Sequence, residues 1–274
     1  MIINGREIAN QLNEQTKEQI KALSFQPLLV DVVVGEDPAS LSYVRIKQKK
    51  ALEVGLAFEL HHLPSSSTTA DVISEINKLI TIKELSGLII QLPLPKTLNT
   101  EEILSSIPEE VDVDLLNKKS SERFYGGGKT LVPPTAGAIS HIIDSLPVNF
   151  SGKKILVVGQ GELVGKPISY LLKSKSLDVI TADSSTKNIL DLLKSADCVI
   201  SGVGKSGLIK GEDLKEGVIV IDAGTSEASG SIAGDVDFDS AEIKASYITP
   251  VPGGVGPVTV AKLLENVVLA AMQS

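Results

Sequence analysis

Short runs of Val, Ile and Leu recur along the whole chain, bounded by Gly or Pro and separated by segments with helical spacing. They are PLLVDVVVG (27–35), GLIIQLPLP (87–95), KKILVVG (153–159), DVITAD (178–183), DCVISGVG (197–204) and GVIVIDAG (217–224). Most do not alternate apolar with polar residues, so both faces need covering. That is the condition of strands in a parallel sheet flanked by helices. Between them, helical spacing is predicted around Ile8, Leu12, Ile20 and Leu23, from Ser40 to Gly55, and over Ala70–Ile80. FELHHLP (58–64) adds a further strand, giving a β-α-β-α-β rhythm. A loop is predicted from Asp112 to Pro134, containing FYGGGKT, then a helix over Thr135–Leu146. The rhythm restarts at Lys153, with helices over Pro167–Lys175 and near Ile189–Ser195. The tail VTVAKLLENVVLAAMQS reads as an amphipathic helix able to pack back on the first half. The fold class is α/β, in two domains: 1–137 plus 258–274, and 138–257.

Composition narrows the function classes. Aromatics make up 3% of 274 residues with no Trp, so aliphatic side chains must fill the cores. A net charge of -8 argues against a non-specific nucleic-acid or anionic-membrane binder. One cysteine, Cys198, excludes an internal disulfide and fits a reducing compartment. With only His61, His62 and His141 beside it, soft ligands are too few for a structural zinc site, and no metal is expected. No apolar stretch reaches the roughly 20 residues needed to span a bilayer. The expectation is an acidic cytoplasmic protein.

LVVGQGELVG places Gly159, Gly161 and Gly165 between a hydrophobic strand and a helix with Pro167 in its first turn. This context suits a dinucleotide site: a tight turn, close approach of backbone to pyrophosphate, and a helix N-terminus facing it. The last interval is one residue longer than in G-x-G-x-x-G. GVGKSG (202–207) imitates an NTPase phosphate loop, but that motif needs a glycine where Val199 stands. It reads instead as a glycine-rich loop after a Rossmann strand.

In SLSYVRIKQKKALEVG the apolar stripe runs through Leu41, Val44, Ala51 and Leu52, and Tyr43 and Lys47 lie four apart on one face beside it. Spacing alone leaves Lys47 as an ordinary snorkelling lysine. Gln91 ends a buried strand, where ligands gather in open α/β sheets. Asp112 and Asp114 in DVD are, on spacing alone, solvated loop charges.

Y-V-x-x-K (Tyr43 to Lys47), Q-L-P-L-P (Gln91 to Pro95), D-V-D and TPVPGGVGPVT (Thr249 to Thr259) occur in this order. Together they resemble the methylenetetrahydrofolate dehydrogenase/methenyltetrahydrofolate cyclohydrolase family, from INGREIA at the start to LLENVVLAA at the end. The resemblance implies two α/β domains around a cleft, the first binding folate and the second a Rossmann-type NAD(P) domain, usually in a homodimer. It implies oxidation of 5,10-methylenetetrahydrofolate, then hydrolysis of the methenyl cation to 10-formyltetrahydrofolate. Lys47 would move the proton, Gln91 would orient it, and Tyr43 would stack on the substrate. Asp114, with Asp112, would accept hydrogen bonds from the pterin, and Pro252, Gly253 and Gly254 would let backbone approach ligand. Gly159, Gln160, Gly161, Val164, Gly165, Asp183, Ser184, Gly202, Gly204 and Thr225 form the expected cofactor set.

Three positions depart from the family pattern: Leu115 replaces a usual glycine, Ile46 a small or polar residue, and VPPTAG (132–137) a Pro-Cys-Thr-Pro run. Most bacterial members are similar to one another in carrying an arginine in the glycine turn and a His-Ser pair after the next strand, for NADP. Here Gln160 and Asp183-Ser184 stand there, and a carboxylate at a second strand's end suits the ribose 2′-hydroxyl of NAD. NADP follows from the family, NAD from these residues. A dehydrogenase with weakened cyclohydrolase activity stays open, as does a non-catalytic nucleotide- or folate-binding protein, since fold does not establish chemistry.

Overall fold

The computed structural model describes residues 1–128, 131–228 and 231–273. Lys129 and Thr130 of FYGGGKT lie outside them. The chain divides into two compact units, Met1–Asn10 with Pro134–Lys262, and Gln11–Pro133 with Leu263–Ser274. The first helix, α1 (Gly5–Lys21), begins in one unit and ends in the other.

The second of these units holds a three-stranded parallel sheet: β1 (Leu28–Val34), β2 (Ala57–Leu63) and β3 (Leu85–Ile90), in the order β2-β1-β3. β1 is buried along its whole length and β2 is a half-exposed edge, which explains why PLLVDVVV is continuous and FELHHLP is mixed. Leu28, Val30, Val32 and Val34 point into one core with Val72, Ile76 and Leu79 of α3 (Thr69–Leu79). Helix α2 (Pro38–Val54) starts where Asp37 accepts the Ser40 N–H and Pro38 presets φ. It stops at Gly55, whose φ of 101° suits a residue without Cβ. α3 starts on a capping box, Thr68 with Asp71.

The segment expected to be loop from Asp112 to Pro134 contains a helix. After α4 (Thr100–Ser105), capped by Asn99, comes α5 (Lys118–Tyr125), capped by Asn117, which accepts the Lys119 N–H. Both helices are too short to show an apolar stripe, so their sequence signal was the Asn cap alone.

The other unit begins its chain run with α6 (Pro134–Ser145) and carries a five-stranded parallel sheet. Its strands are β4 (Lys154–Val158), β5 (Asp178–Ala182), β6 (Cys198–Ser201) and β7 (Ile219–Asp222). A short antiparallel pair follows, β8 (Ser226–Ala228) and β9 (Ser231–Ala233), and the last strand is β10 (Tyr247–Ile248). The order is β10-β7-β6-β4-β5, so the chain reverses direction across the sheet between β5 and β6. Connections run through α7 (Gly165–Ser174), α8 (Ile189–Ser195) and α9 (Phe238–Glu242). Residues 1–3 extend the sheet: Ile2 bridges Ile248, and Ile3 N donates to Ile248 O. That pairing groups the N-terminal residues with this sheet, whereas sequence order alone placed them with the first domain.

Helix α10 (Val255–Ala271) buries Val258, Val260, Ala261, Leu263, Leu264, Val267 and Val268, while the partly exposed Thr259, Lys262, Glu265 and Leu269 recur at helical spacing along one side, as an amphipathic helix requires. Within Leu263–Ser274, Asn266 is buried and donates from Nδ2 to Val113 O and Val132 O, both at 2.9 Å. No helix among the described residues is long and apolar enough to cross a membrane. Asn266→Leu leaves both carbonyls unpaired, at about 1–3 kcal/mol each. The expected outcome is a lower midpoint in urea with the secondary structure retained, read by circular dichroism.

Candidate active site

The buried face of α2 is Ser40, Val44, Lys47, Ala51 and Val54. Leu52, assigned to the stripe by sequence, is 57% exposed. Lys47 therefore occupies a core position of the helix and is only 2% exposed, which rules out snorkelling. The period-2 alternation of β1 turns Asp31 away from the Val30 and Val32 core, toward Lys47. Asp31 Oδ2 lies 2.6 Å from Lys47 Nζ, with both side chains out of solvent. Nζ also donates to Gln91 Oε1 at 2.8 Å. Gln91 Nε2 donates to Leu92 O at 2.6 Å, so the amide oxygen is the atom that faces the lysine. Gln91 N donates to Val32 O, which sets the residue one step beyond β3 beside the end of β1. The Tyr43 ring centre is 5.4 Å from Nζ, within cation–π range, and a third of the residue stays exposed to meet a ligand.

The two carboxylates of DVD have different surroundings. Asp112 points inward and accepts the Leu116 and Asn117 N–H groups at 3.2 and 2.9 Å, so it holds the turn into α5. Burial pushes its carboxyl up, against those donors. Asp114 is pushed up to about 6, by burial first; Lys47 opposes the shift, and Asp112 and Asp31 add to it. Asp114 is thus ionised at neutral pH and within the field of Lys47. Leu115 between them has a φ of 56°, the left-handed region, and its side chain is buried. The position the family fills with glycine keeps glycine's backbone here despite a Cβ.

In the other unit the three glycines of the turn have distinct physical roles. Gly159 has a φ of 90°, and a Cβ there would meet Gly202 O at 2.8 Å. A Cβ on Gly165 would lie 1.8 Å from Gly159 O, which enforces tight packing of α7 on the turn. A Cβ on Gly161 would meet nothing within 4 Å, so the space beside its backbone is open. That open backbone, followed by α7 whose N-cap Val164 makes no side-chain cap, fits a pyrophosphate. The turn lies where strand order reverses, next to Gly202 at the end of β6.

Two acids that sequence reasoning passed over organise the neighbouring loop. Asp235 accepts from Ser201 Oγ, Val203 N and Lys205 N, each at 2.7 Å, and so shapes the Gly202–Gly204 segment. Asp222 accepts the Gly224, Asp235 and Val236 N–H groups; burial pushes it up to about 6. The clues were an acid ending a buried strand and another in GDVDF, but neither carries a recognisable spacing. Thr225 O lies 3.7 Å from where a Gly204 Cβ would sit, so these two expected positions adjoin. Asp183 and Ser184 are exposed just beyond β5. Asp183 Oδ1 accepts Ser185 N and Oγ at 2.9 and 2.6 Å, and these bonds hold its carboxyl below the usual range. Gln160 folds its amide onto Gly159 O. Pro252 is exposed, and Gly254 is crowded by the chain itself: a Cβ on Gly5 would lie 1.8 Å from Gly254 O.

The family model described as tetrahydrofolate dehydrogenase/cyclohydrolase, catalytic domain, matches residues 3–114, and that for the NAD(P)-binding domain matches residues 133–274. The chain belongs to this family. It is 39% identical over 277 residues to the bifunctional protein FolD of Bacillus pumilus, covering 100% of this chain and 98% of that protein. It is 38% identical to FolD of Staphylococcus aureus, covering 98% and 96%. Among solved structures it is similar to the bifunctional FolD enzyme of Campylobacter jejuni, with a TM-score of 0.95, 32% identity and coverage of 100% and 99%. It is also similar to the Trypanosoma brucei enzyme complexed with NADP and an inhibitor, with a TM-score of 0.94, 32% identity and coverage of 100% and 97%.

The glycine geometry separates folding from binding. Gly161→Ala is expected to fold with unchanged thermal stability but to raise the cofactor KM about tenfold or more, since its methyl fills the open side of the turn. Gly165→Ala forces backbone apart and is expected to lower the melting temperature as well. Thermal melts beside dehydrogenase kinetics distinguish the two.

Proposed function

We propose that Lys47, held by Asp31 and Gln91 in a dry site, is the proton carrier of a bifunctional folate enzyme. The chain is an NAD(P)-dependent methylenetetrahydrofolate dehydrogenase and methenyltetrahydrofolate cyclohydrolase, as its family membership across both domains implies. The observation that carries the residue roles is the burial of Lys47 with two polar partners and a facing aromatic ring. The folate domain is then the part around β1–β3 and the nucleotide domain the part around β4–β7.

A bound NAD(P) would supply the hydride acceptor for oxidation of the one-carbon bridge. Gly159, Gly161, Val164 and Gly165 would hold its pyrophosphate, and Gly202, Gly204 and Thr225 the region beyond. Oxidation leaves a cation shared by two folate nitrogens. Water then attacks the bridging carbon, the amine of Lys47 takes a proton from that water, the resulting ammonium returns it to the departing nitrogen, and the second water proton leaves to solvent as the formyl carbonyl forms. Tyr43 stacks on the folate rings. Asp114, ionised at neutral pH, accepts from the pterin donor edge, while Asp112 keeps the segment in place. The assembly we propose is a cytoplasmic homodimer, on family resemblance.

Lys47→Met is expected to lose methenyl hydrolysis by about 10²–10⁴-fold, the usual worth of a general acid–base group. Hydride transfer should fall less. Following methenyl absorbance and reduced cofactor separately tests this, and wild-type hydrolysis in the variant would refute the assignment.

For the cofactor, we propose that NAD is accepted as well as NADP or better. Asp183 is ionised at the end of β5 and repels a 2′-phosphate, and Gln160 offers no positive charge. Loss of a charge-assisted phosphate contact costs about 1.5–3 kcal/mol, roughly ten- to a hundredfold in affinity. The measurement is kcat/KM with both cofactors for wild type and for Gln160→Arg with Asp183→Ser, which should move preference toward NADP. A wild-type NADP preference above about a hundredfold would overturn the reading.

A further inference from the structure

Asp31 lies in the middle of the buried run LLVDVVV, where every neighbour in the strand is aliphatic. Its side chain is fully buried, and apart from Lys47 no group among the described residues hydrogen-bonds either carboxylate oxygen. An isolated buried carboxylate is strongly disfavoured, so such a residue persists where its charge has a partner and a use. The partner is Lys47, at 2.6 Å. Gln91 approaches the same Nζ at 2.8 Å but carries no charge. The groups facing Nζ are therefore Asp31 from β1, Gln91 from the end of β3, Tyr43 from α2, and the field of Asp114 from the segment after β3. An ammonium has three donors, and two are directed to Asp31 and Gln91, which aims the remaining one.

We propose that Asp31 is a positioning residue of the hydrolytic step, acting through Lys47: its carboxylate fixes Nζ and stabilises the ammonium that Lys47 becomes on taking a proton from water. This rests on the assignment of Lys47 as proton carrier. As the new C–O bond forms, one water proton moves to the Lys47 amine. As the C–N bond breaks, the same proton moves from the ammonium to the departing nitrogen, and the hydroxyl on the bridging carbon releases the second water proton to solvent as its carbonyl forms, so the cation and water become the neutral formyl product and one proton. Asp31 takes up no proton in this sequence. Asp31 thus supports the charged form of Lys47 at the point where the reaction creates it.

The test compares kcat for methenyl hydrolysis in wild type, Asp31→Asn, Asp31→Glu and Lys47→Met, with hydride transfer measured in parallel. In Asp31→Asn hydrolysis is expected to fall about tenfold or more, and by more than hydride transfer falls. Asp31→Glu, which keeps the charge, is expected to restore part of the loss. Asp31→Val, apolar and β-branched like its strand neighbours, serves where the Asn variant does not fold, with the same selective loss of hydrolysis. A purely structural role would lower both activities alike and leave the Glu variant no better than the Asn variant, and that result overturns the proposal. Hydrolysis surviving in Lys47→Met would instead overturn the assignment of Lys47, so the two failures are distinguishable.

Discussion

An ammonium group withdrawn from water costs several kcal/mol even after the protein relaxes around it, and a single unpaired partner left behind costs about 3–5 kcal/mol. The first sheet is arranged around that constraint. Lys47 falls in the buried seam of α2, and the strand beneath places an acid within 2.6 Å. β3 ends with the amide of Gln91 turned by the Leu92 carbonyl so that its oxygen meets the same nitrogen. The parallel register of β1 with β3 brings these groups together, since Asp31 pairs with Ile89 and Gln91 follows Val32. The same low dielectric that makes the pair expensive makes it responsive to one proton.

The second sheet shows a different economy, built from backbone. Gly159, Gly165 and Gly202 are closed against one another and Val164, with no room for any Cβ, while Gly161 alone faces open space. Packing accounts for the first three and leaves the fourth unexplained by any neighbour within 4 Å. Asp235 gathers three donors from the end of β6 and the loop after it, and Asp222 gathers two from the segment that carries Asp235 and one from Gly224. The loop is therefore supported before any nucleotide arrives, as a site with fixed dipoles requires.

Periodicity and punctuation were enough to place the long elements. The aliphatic runs became parallel strands, buried except at the edge strand β5, and α2, α3, α7 and α8 fall within a few residues of their predicted spans. α4 and α5 were missed because six and eight residues leave no measurable period. The tail has the partly exposed side its pattern predicts, but the burial of Asn266 on two carbonyls is not legible in that pattern. The stripe of α2 was misplaced by treating Lys47 as polar and therefore outside.

The order of motifs by itself carried the resemblance that points to the family and its two α/β units, and through it to Tyr43, Lys47, Gln91 and Asp114, whose spacing alone left them ordinary. Strand and helix patterning placed Gly159, Gly161 and Gly165 in one turn between β4 and α7. Only the tertiary structure decided which of those glycines are closed by packing and which one is open. Only it separated Asp112, engaged by backbone donors, from Asp114, which burial pushes up to about 6 in the field of Lys47. And only it paired Asp31 with Lys47, residues on a strand and a helix whose proximity no local period encodes. Burial and charge pairing are properties of the packed chain, since the field at a side chain depends on neighbours that sequence distance does not reveal.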